Sequence, residues 1–209
     1  MISIQSKIKG ALYGFAIGDA MGATTEFMSA SEIKRVYGQL DQIIGGGWLR
    51  LKPGEITDDT QMTLCVCEAI ERFPNNTDLM LNRCCENFTN WYLSNPPDVG
   101  GACRRAIVNN KYTNNHKKWL KATYDPESLG NGSLMRTMPI VLSGLGVQAA
   151  LSQGRLTHNN QTCDVFIEAY YQVLDDILKD KDQQFSPILM EPTGHIYNTY
   201  SNEIGRAHV

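Results

Sequence analysis

The run Glu55-Ile56-Thr57-Asp58-Asp59-Thr60-Gln61-Met62 places a hydroxyl and two carboxylates in succession where a turn enters an apolar helical pattern. Hard cations such as Mg²⁺ or Mn²⁺ take oxygen ligands, and a Thr-Asp-Asp run at a constrained helix start can aim three of them at one point. The same residue types also serve as plain helix caps, stabilising a helix start by about 0.5–2 kcal/mol with no metal involved. The run alone leaves both readings open.

Three further segments carry chemistry. Gly10-Ala11-Leu12-Tyr13-Gly14-Phe15-Ala16-Ile17-Gly18-Asp19-Ala20-Met21-Gly22 is followed by Glu26. Gly130-Asn131-Gly132-Ser133-Leu134-Met135-Arg136 is followed by Pro139, and Leu156-Thr157-His158 comes later. In this order, with Thr57-Asp58-Asp59-Thr60 between the first and second, the segments resemble the signature of the ADP-ribosylglycohydrolases, including the relatives that reactivate dinitrogenase reductase. The resemblance implies that Thr57, Asp58 and Asp59 are metal ligands. It places Glu26 on a loop at the metal edge, where it contacts metal or gates the substrate; the plain alternative is a solvated loop charge. Asn131, Gly132 and Ser133 precede a helix, and their backbone N–H groups suit the diphosphate of ADP-ribose. His158 resembles the family histidine bordering the ribose and diphosphate, Met135 underlies that pocket, and Asp98 in Asp98-Val99-Gly100 resembles an acid near the reacting ribose. Arg136 is left between a phosphate contact and a buried ion-pair partner.

The implied reaction is hydrolysis of the bond joining C1 of the distal ribose to a protein side chain or a related acceptor, with Glu26, Asp58, Asp59 and Asp98 as the catalytic acids. Two Mg²⁺ or Mn²⁺ ions would grip the ribose hydroxyls, and nearby carboxylates would stabilise positive charge on the sugar carbon. A non-catalytic relative that binds ADP-ribose or is structural, like the lens crystallins the resemblance extends to, is the competing reading. Members of the ADP-ribosylglycohydrolase family normally continue past Glu191-Pro192-Thr193-Gly194 to a Gly-Gly-Asp-x-Asp-Thr element that completes the metal site, and no such element occurs here. The closing Glu203-Ile204-Gly205-Arg206-Ala207-His208-Val209 resembles no part of the family and back-translates to the start of a sequencing adapter. The expectation is therefore an incomplete ADP-ribosylglycohydrolase-like domain over 1–202, a non-native tail over 203–209, and an impaired fragment.

The elements that must position these residues read as helices. Ile4, Ile8, Ala11, Leu12, Phe15 and Ala16 wind one stripe over 4–19. Ser31 is the expected cap of a short helix to Val36, and Gly45-Gly46-Gly47 reads as a mobile loop ending at Trp48. Further helices are expected over 59–72, 77–93, 100–109 and 162–178, with a buried helix starting after Gly132 and an exposed Asn- and Lys-rich connection over 109–124. The fold class is all-α, a single-domain orthogonal helical bundle lacking its C-terminal helices.

The formal net charge of −3, from 19 basic and 22 acidic residues, supplies no basic stripe for nucleic acid. No apolar stretch of membrane-spanning length and no secretion signal are apparent, so a cytoplasmic monomer is expected, acting on an ADP-ribosylated protein or an ADP-ribose derivative. The six cysteines are expected to be reduced residues of the core, a zinc site being the sharper alternative.

Overall fold

A computed structural model of the chain describes residues 2–179. The expectations that fall on 180–209, including the end of the domain at 202 and the tail 203–209, lie outside the described residues. Among the described residues there are nine α-helices, one 3₁₀ turn and no strand, so the all-α class holds. The only bridges described are isolated ones, Gly46 with Leu51 and Tyr124 with Asn159. No described helix is long and apolar enough to cross a membrane.

Chain contacts divide the described residues into two compact units, the first taking 2–61 and 96–98 and the second 62–95 and 99–179. The first unit holds α1 (Ile4–Gly22), α2 (Ala30–Tyr37) and the first turn of α3 (Asp58–Arg72). Its apolar interior is small, with Ala20, Ala23 and Leu51 buried. Polar contacts therefore carry much of its order. Ser29, not Ser31, caps α2: its hydroxyl accepts from Glu32 N–H while the Glu32 carboxylate accepts from Ser29 N–H at 2.8 Å. That reciprocal box requires Glu three residues after the cap, which Ser31 lacks. The Gly45–Gly47 stretch is a bridged turn: Gly46 and Leu51 exchange backbone hydrogen bonds of 2.7 and 2.9 Å, and Thr24 Oγ1 donates to Gly45 O at 3.0 Å. Gly45 and Gly47 have φ of 66° and 65°, and a Cβ at Gly47 would lie 2.1 Å from Ala23 O, so only glycine fits.

The second unit is built on α4 (Thr77–Leu93), α5 (Gly101–Asn110), α6 (His116–Ala122), α7 (Met138–Ser143), α8 (Val147–Gly154) and α9 (Gln161–Leu178). Helix α9 rests on α7 and α8, and α4 on α5, α6 and α8. Met62, Val66, Phe88, Ile107, Ile140 and Ile167 are fully buried in it. All six cysteines are free thiols, and burial pushes Cys84 and Cys85 above the ordinary thiol range, leaving them unreactive.

Two expectations change here. The connection over 109–124 contains α6, because Trp119 is fully buried with its Nε1–H donating to Thr113 O at 2.8 Å, while Asn115 caps the helix. Asn82 Oδ1 accepts from His116 N–H at 2.9 Å and lies 2.8 Å from His116 Nδ1. The apolar stretch after Gly132 is also not one helix. A 3₁₀ turn over Asn131–Ser133 is followed by a break, and Pro139 opens α7 in the first turn, where its missing N–H costs nothing.

Candidate active site

In the first unit the site is organised by Asp19, in the last turn of α1. One carboxylate oxygen accepts from Thr57 Oγ1 at 2.6 Å. The other accepts from Thr57 N–H at 3.0 Å, Thr60 N–H at 3.2 Å and Thr60 Oγ1 at 2.5 Å. Two otherwise orphan N–H groups at the start of α3 are thus capped by a carboxylate from another helix, which also suits the positive end of the α3 dipole. Thr57 Oγ1 in turn accepts from Asp59 N–H at 3.3 Å. Its single proton is spent on Asp19, so one lone pair remains for a ligand.

Asp58 and Asp59 follow, both half-buried. The Asp59 carboxyl is pushed up to about 7, first by burial and then by the negative charges of Asp58, Asp19, Glu26 and Asp98. Four of the five acids in this group are those singled out from sequence; Asp19 is the fifth. Glu26 lies in the turn after α1, where its Oε2 accepts from Trp48 Nε1–H at 2.8 Å. Asp19 lies in the glycine-rich opening motif, whose resemblance to the family assigns it no role. The available signal was an acid in the last turn of a helix, which opposes the dipole and so needs donors from elsewhere.

These oxygen donors and their surplus charge suit a divalent cation by chemistry, and no basic side chain appears among the groups acting on Asp59. Among the described residues, however, no three His, Cys, Asp or Glu side chains converge as a closed metal cage. The fit is that of counter-charge and partial ligation.

In the second unit Asn131 is exposed, whereas Gly132, Ser133 and Met135 are buried. A Cβ on Gly132 would lie 2.7 Å from His158 Cε1 and 2.8 Å from Cys103 Sγ, so the turn requires glycine for close approach. Arg136, fully buried, supports the turn from within. Its Nη1 donates to Gly132 O, Nε to Gln153 Oε1 at 2.8 Å and Nη2 to Thr157 Oγ1 at 2.7 Å, with longer contacts to Gln153 O and Gly154 O. The guanidinium also sits 4.8 Å from the Phe88 ring centroid. Its hydrogen-bond acceptors among the described residues are all uncharged, so it is not a member of an ion pair here, and its full burial keeps it from the surface where a phosphate would bind.

His158 is buried beside this turn, with Nδ1 2.8 Å from Thr157 Oγ1. That hydroxyl accepts from Arg136 and has no other acceptor for its own proton among the described residues, so donation to Nδ1 satisfies both groups and puts the ring proton on Nε2. Nε2 has no hydrogen-bond partner among the described residues. Burial, Arg136 and Arg105 together pull the ring down to about 3, so His158 is neutral at physiological pH. Since the unfolded ring titrates near 6.5, its neutral burial stabilises the fold fully above that value, and stability is lost as pH falls from 6.5 towards 3. Relative to His158→Gln, the wild-type chain is expected to lose about 1.4 kcal/mol between pH 7.5 and 5.5, read by urea unfolding at each pH. Parallel pH profiles would contradict this.

Residues 1–207 match the family model described as ADP-ribosylglycohydrolase. The chain belongs to the ADP-ribosylglycohydrolase family. It is 42% identical over 167 residues to the ADP-ribosyl-(dinitrogen reductase) glycohydrolase of Rhodospirillum rubrum, covering 78% of this chain and 54% of that protein. It is 36% identical over 140 residues to the ADP-ribosylarginine hydrolase Tri1 of Serratia proteamaculans, covering 64% of this chain and 35% of that protein. A solved ADP-ribosylglycohydrolase-related protein complex shares the fold with a TM-score of 0.68 at 27% identity, covering 84% of this chain and 57% of that one. The chain thus spans between about a third and somewhat over half of the length of these family members.

Proposed function

We propose that this chain is part of a metal-dependent hydrolase that removes ADP-ribose from ADP-ribosylated protein side chains, and that the 209 residues alone turn over slowly. The observation that carries the reading is the Asp59 carboxyl, whose charge is opposed by four other acids. A fold that only needed a helix cap would have no use for such an accumulation, since one or two acids complete a cap. Relatives named as glycohydrolases acting on ADP-ribosylated dinitrogen reductase and on ADP-ribosylarginine support the substrate class. The proposal of slow turnover rests on the match covering 54% and 35% of these two relatives.

Thr57, Asp58, Asp59 and Glu26 would hold a divalent cation, Mg²⁺ or Mn²⁺, which supplies Lewis-acid polarisation of ribose oxygens when bound. Asp19 fixes Thr57 so that its remaining lone pair is preplaced. Without the cation Asp59 exchanges its proton near neutral pH, and a bound cation would hold it in the ionised form. Asp98 and Glu26 add negative charge suited to a sugar carbon that becomes positive. In the second unit Asn131 offers an exposed polar side chain, and His158 Nε2–H is a donor in want of an acceptor, which suits a phosphate or ribose oxygen.

Calorimetry with ADP-ribose in the presence of Mn²⁺, paired with ADP-ribose release from an ADP-ribosylarginine protein, tests this. Saturable binding with slow release is expected. Absence of binding would remove the substrate class, and fast release would remove the claim of impairment.

A further inference from the structure

Trp48 belongs to none of the motifs, yet it is the residue that holds Glu26. Its Nε1–H donates to Glu26 Oε2 at 2.8 Å, a charge-assisted bond between residues 22 positions apart. The span is closed by the bridged glycine turn, whose Gly45 and Gly47 admit no side chain and which is tied through Thr24 to the end of α1. Phe27, next to Glu26, has φ of 62°, a costly conformation for a bulky residue, and its ring meets Trp48 edge to face with centroids 5.4 Å apart. Burial does not account for this pair, since Phe27 is 59% and Trp48 51% exposed. A strained aromatic, two side-chain-free glycines and an indole donor thus converge on one carboxylate that acts on Asp59.

We propose that Trp48 is a positioning residue: its indole N–H fixes the Glu26 carboxylate at the edge of the acidic cluster, making Glu26 a preplaced acid instead of a loop charge free to leave. The inference rests on the reading of Glu26 as an acid that contacts the cation or substrate. Trp48→Phe keeps an aromatic ring, smaller than the indole, against Phe27 and removes the donor, whereas Glu26→Ala removes the acceptor.

Two readouts on the 209-residue chain test it: the Trp48 Nε1–H resonance, assigned by its loss in Trp48→Phe, and Mn²⁺ affinity by paramagnetic resonance. Glu26→Ala is expected to shift that resonance and speed its exchange with solvent. Trp48→Phe is expected to weaken Mn²⁺ about fivefold with its thermal midpoint within about 2 °C of wild type, and the double variant to bind no more weakly than Glu26→Ala alone. A resonance unmoved in Glu26→Ala, or losses that multiply in the double variant, overturns the proposal. If the wild-type chain binds no Mn²⁺, a moved resonance still supports the placement of Glu26 by Trp48, and the failure belongs to the cation reading.

Discussion

Asp19→Ala is expected to lower the unfolding free energy by at least about 3 kcal/mol, measured by urea denaturation at pH 7. The carboxylate accepts four hydrogen bonds from Thr57 and Thr60. Each charge-assisted bond contributes about 1.5–3 kcal/mol in isolation, and neighbouring ones are not additive. Removing the acceptor leaves the buried Thr57 and Thr60 with unsatisfied N–H and hydroxyl groups and uncaps α3. One effect runs the other way: Asp19 is among the charges that raise Asp59, so its loss relieves repulsion. That repulsion is shared among several acids, whereas the four hydrogen bonds have no substitute, and so the loss prevails. Asp19→Asn is expected to fall between wild type and Asp19→Ala, because the amide keeps one acceptor oxygen and turns an NH₂ group against the threonine donors. A loss below about 1 kcal/mol in Asp19→Ala would show that water replaces the carboxylate.

Arg136→Met is expected to cost about 3 kcal/mol or more, with Arg136→Lys nearly as damaging. Replacing a buried charge with an apolar side chain can be neutral when its partners leave with it. Here Gly132 O is a backbone carbonyl that no side-chain substitution removes, so truncation strands it together with Gln153 Oε1, whereas Gln153 O and Gly154 O keep backbone donors from Leu156, Thr157 and His158. Lysine keeps the charge but replaces a planar fork of donors with one point, which cannot span acceptors on both sides of the guanidinium. It also loses the flat face laid over Phe88. A stable Arg136→Lys would show that charge alone suffices at this position.

Most of the helical framework was legible because its amphipathic stripes are long. The helices at 4–22, 58–72, 77–93 and 161–178 each carry enough apolar repeats for a 3.6-residue period to stand out. Helix α6 was hidden because only Trp119 and His116 of its seven residues are buried, and lysines dominate its composition. The signal was there in principle, as an aromatic three residues after a histidine behind an Asn cap. The break between Ser133 and Met138 was hidden for the opposite reason. Almost everything over 131–141 is buried, so periodicity carries no information, and Pro139 marks the restart of the helix.

In the site, the acids themselves were readable as types, since oxygen ligands at a helix start suggest hard cations. What local patterns omit is long range. The Asp19 to Thr57 contact spans 38 positions and the Trp48 to Glu26 contact 22. Arg136 illustrates the same limit: an arginine within an apolar stretch announces burial, but only the fold shows that it serves the carbonyl of Gly132 and no carboxylate.

The Asp59 titration gives the acidic cluster a thermodynamic sign. Its folded value of about 7 lies above the ordinary carboxylate value of 3.8, so the ion-free chain loses stability as pH rises through that interval. A bound divalent cation reverses the penalty by favouring the ionised form. Paramagnetic resonance of Mn²⁺ added to the 209-residue chain at pH 7.5, compared with Asp59→Asn, therefore bears most directly on the cluster as a cation site. Saturable binding that Mg²⁺ displaces, weakened at least about tenfold in Asp59→Asn, is the predicted result. Equal binding by the two proteins, or none by either, would contradict it.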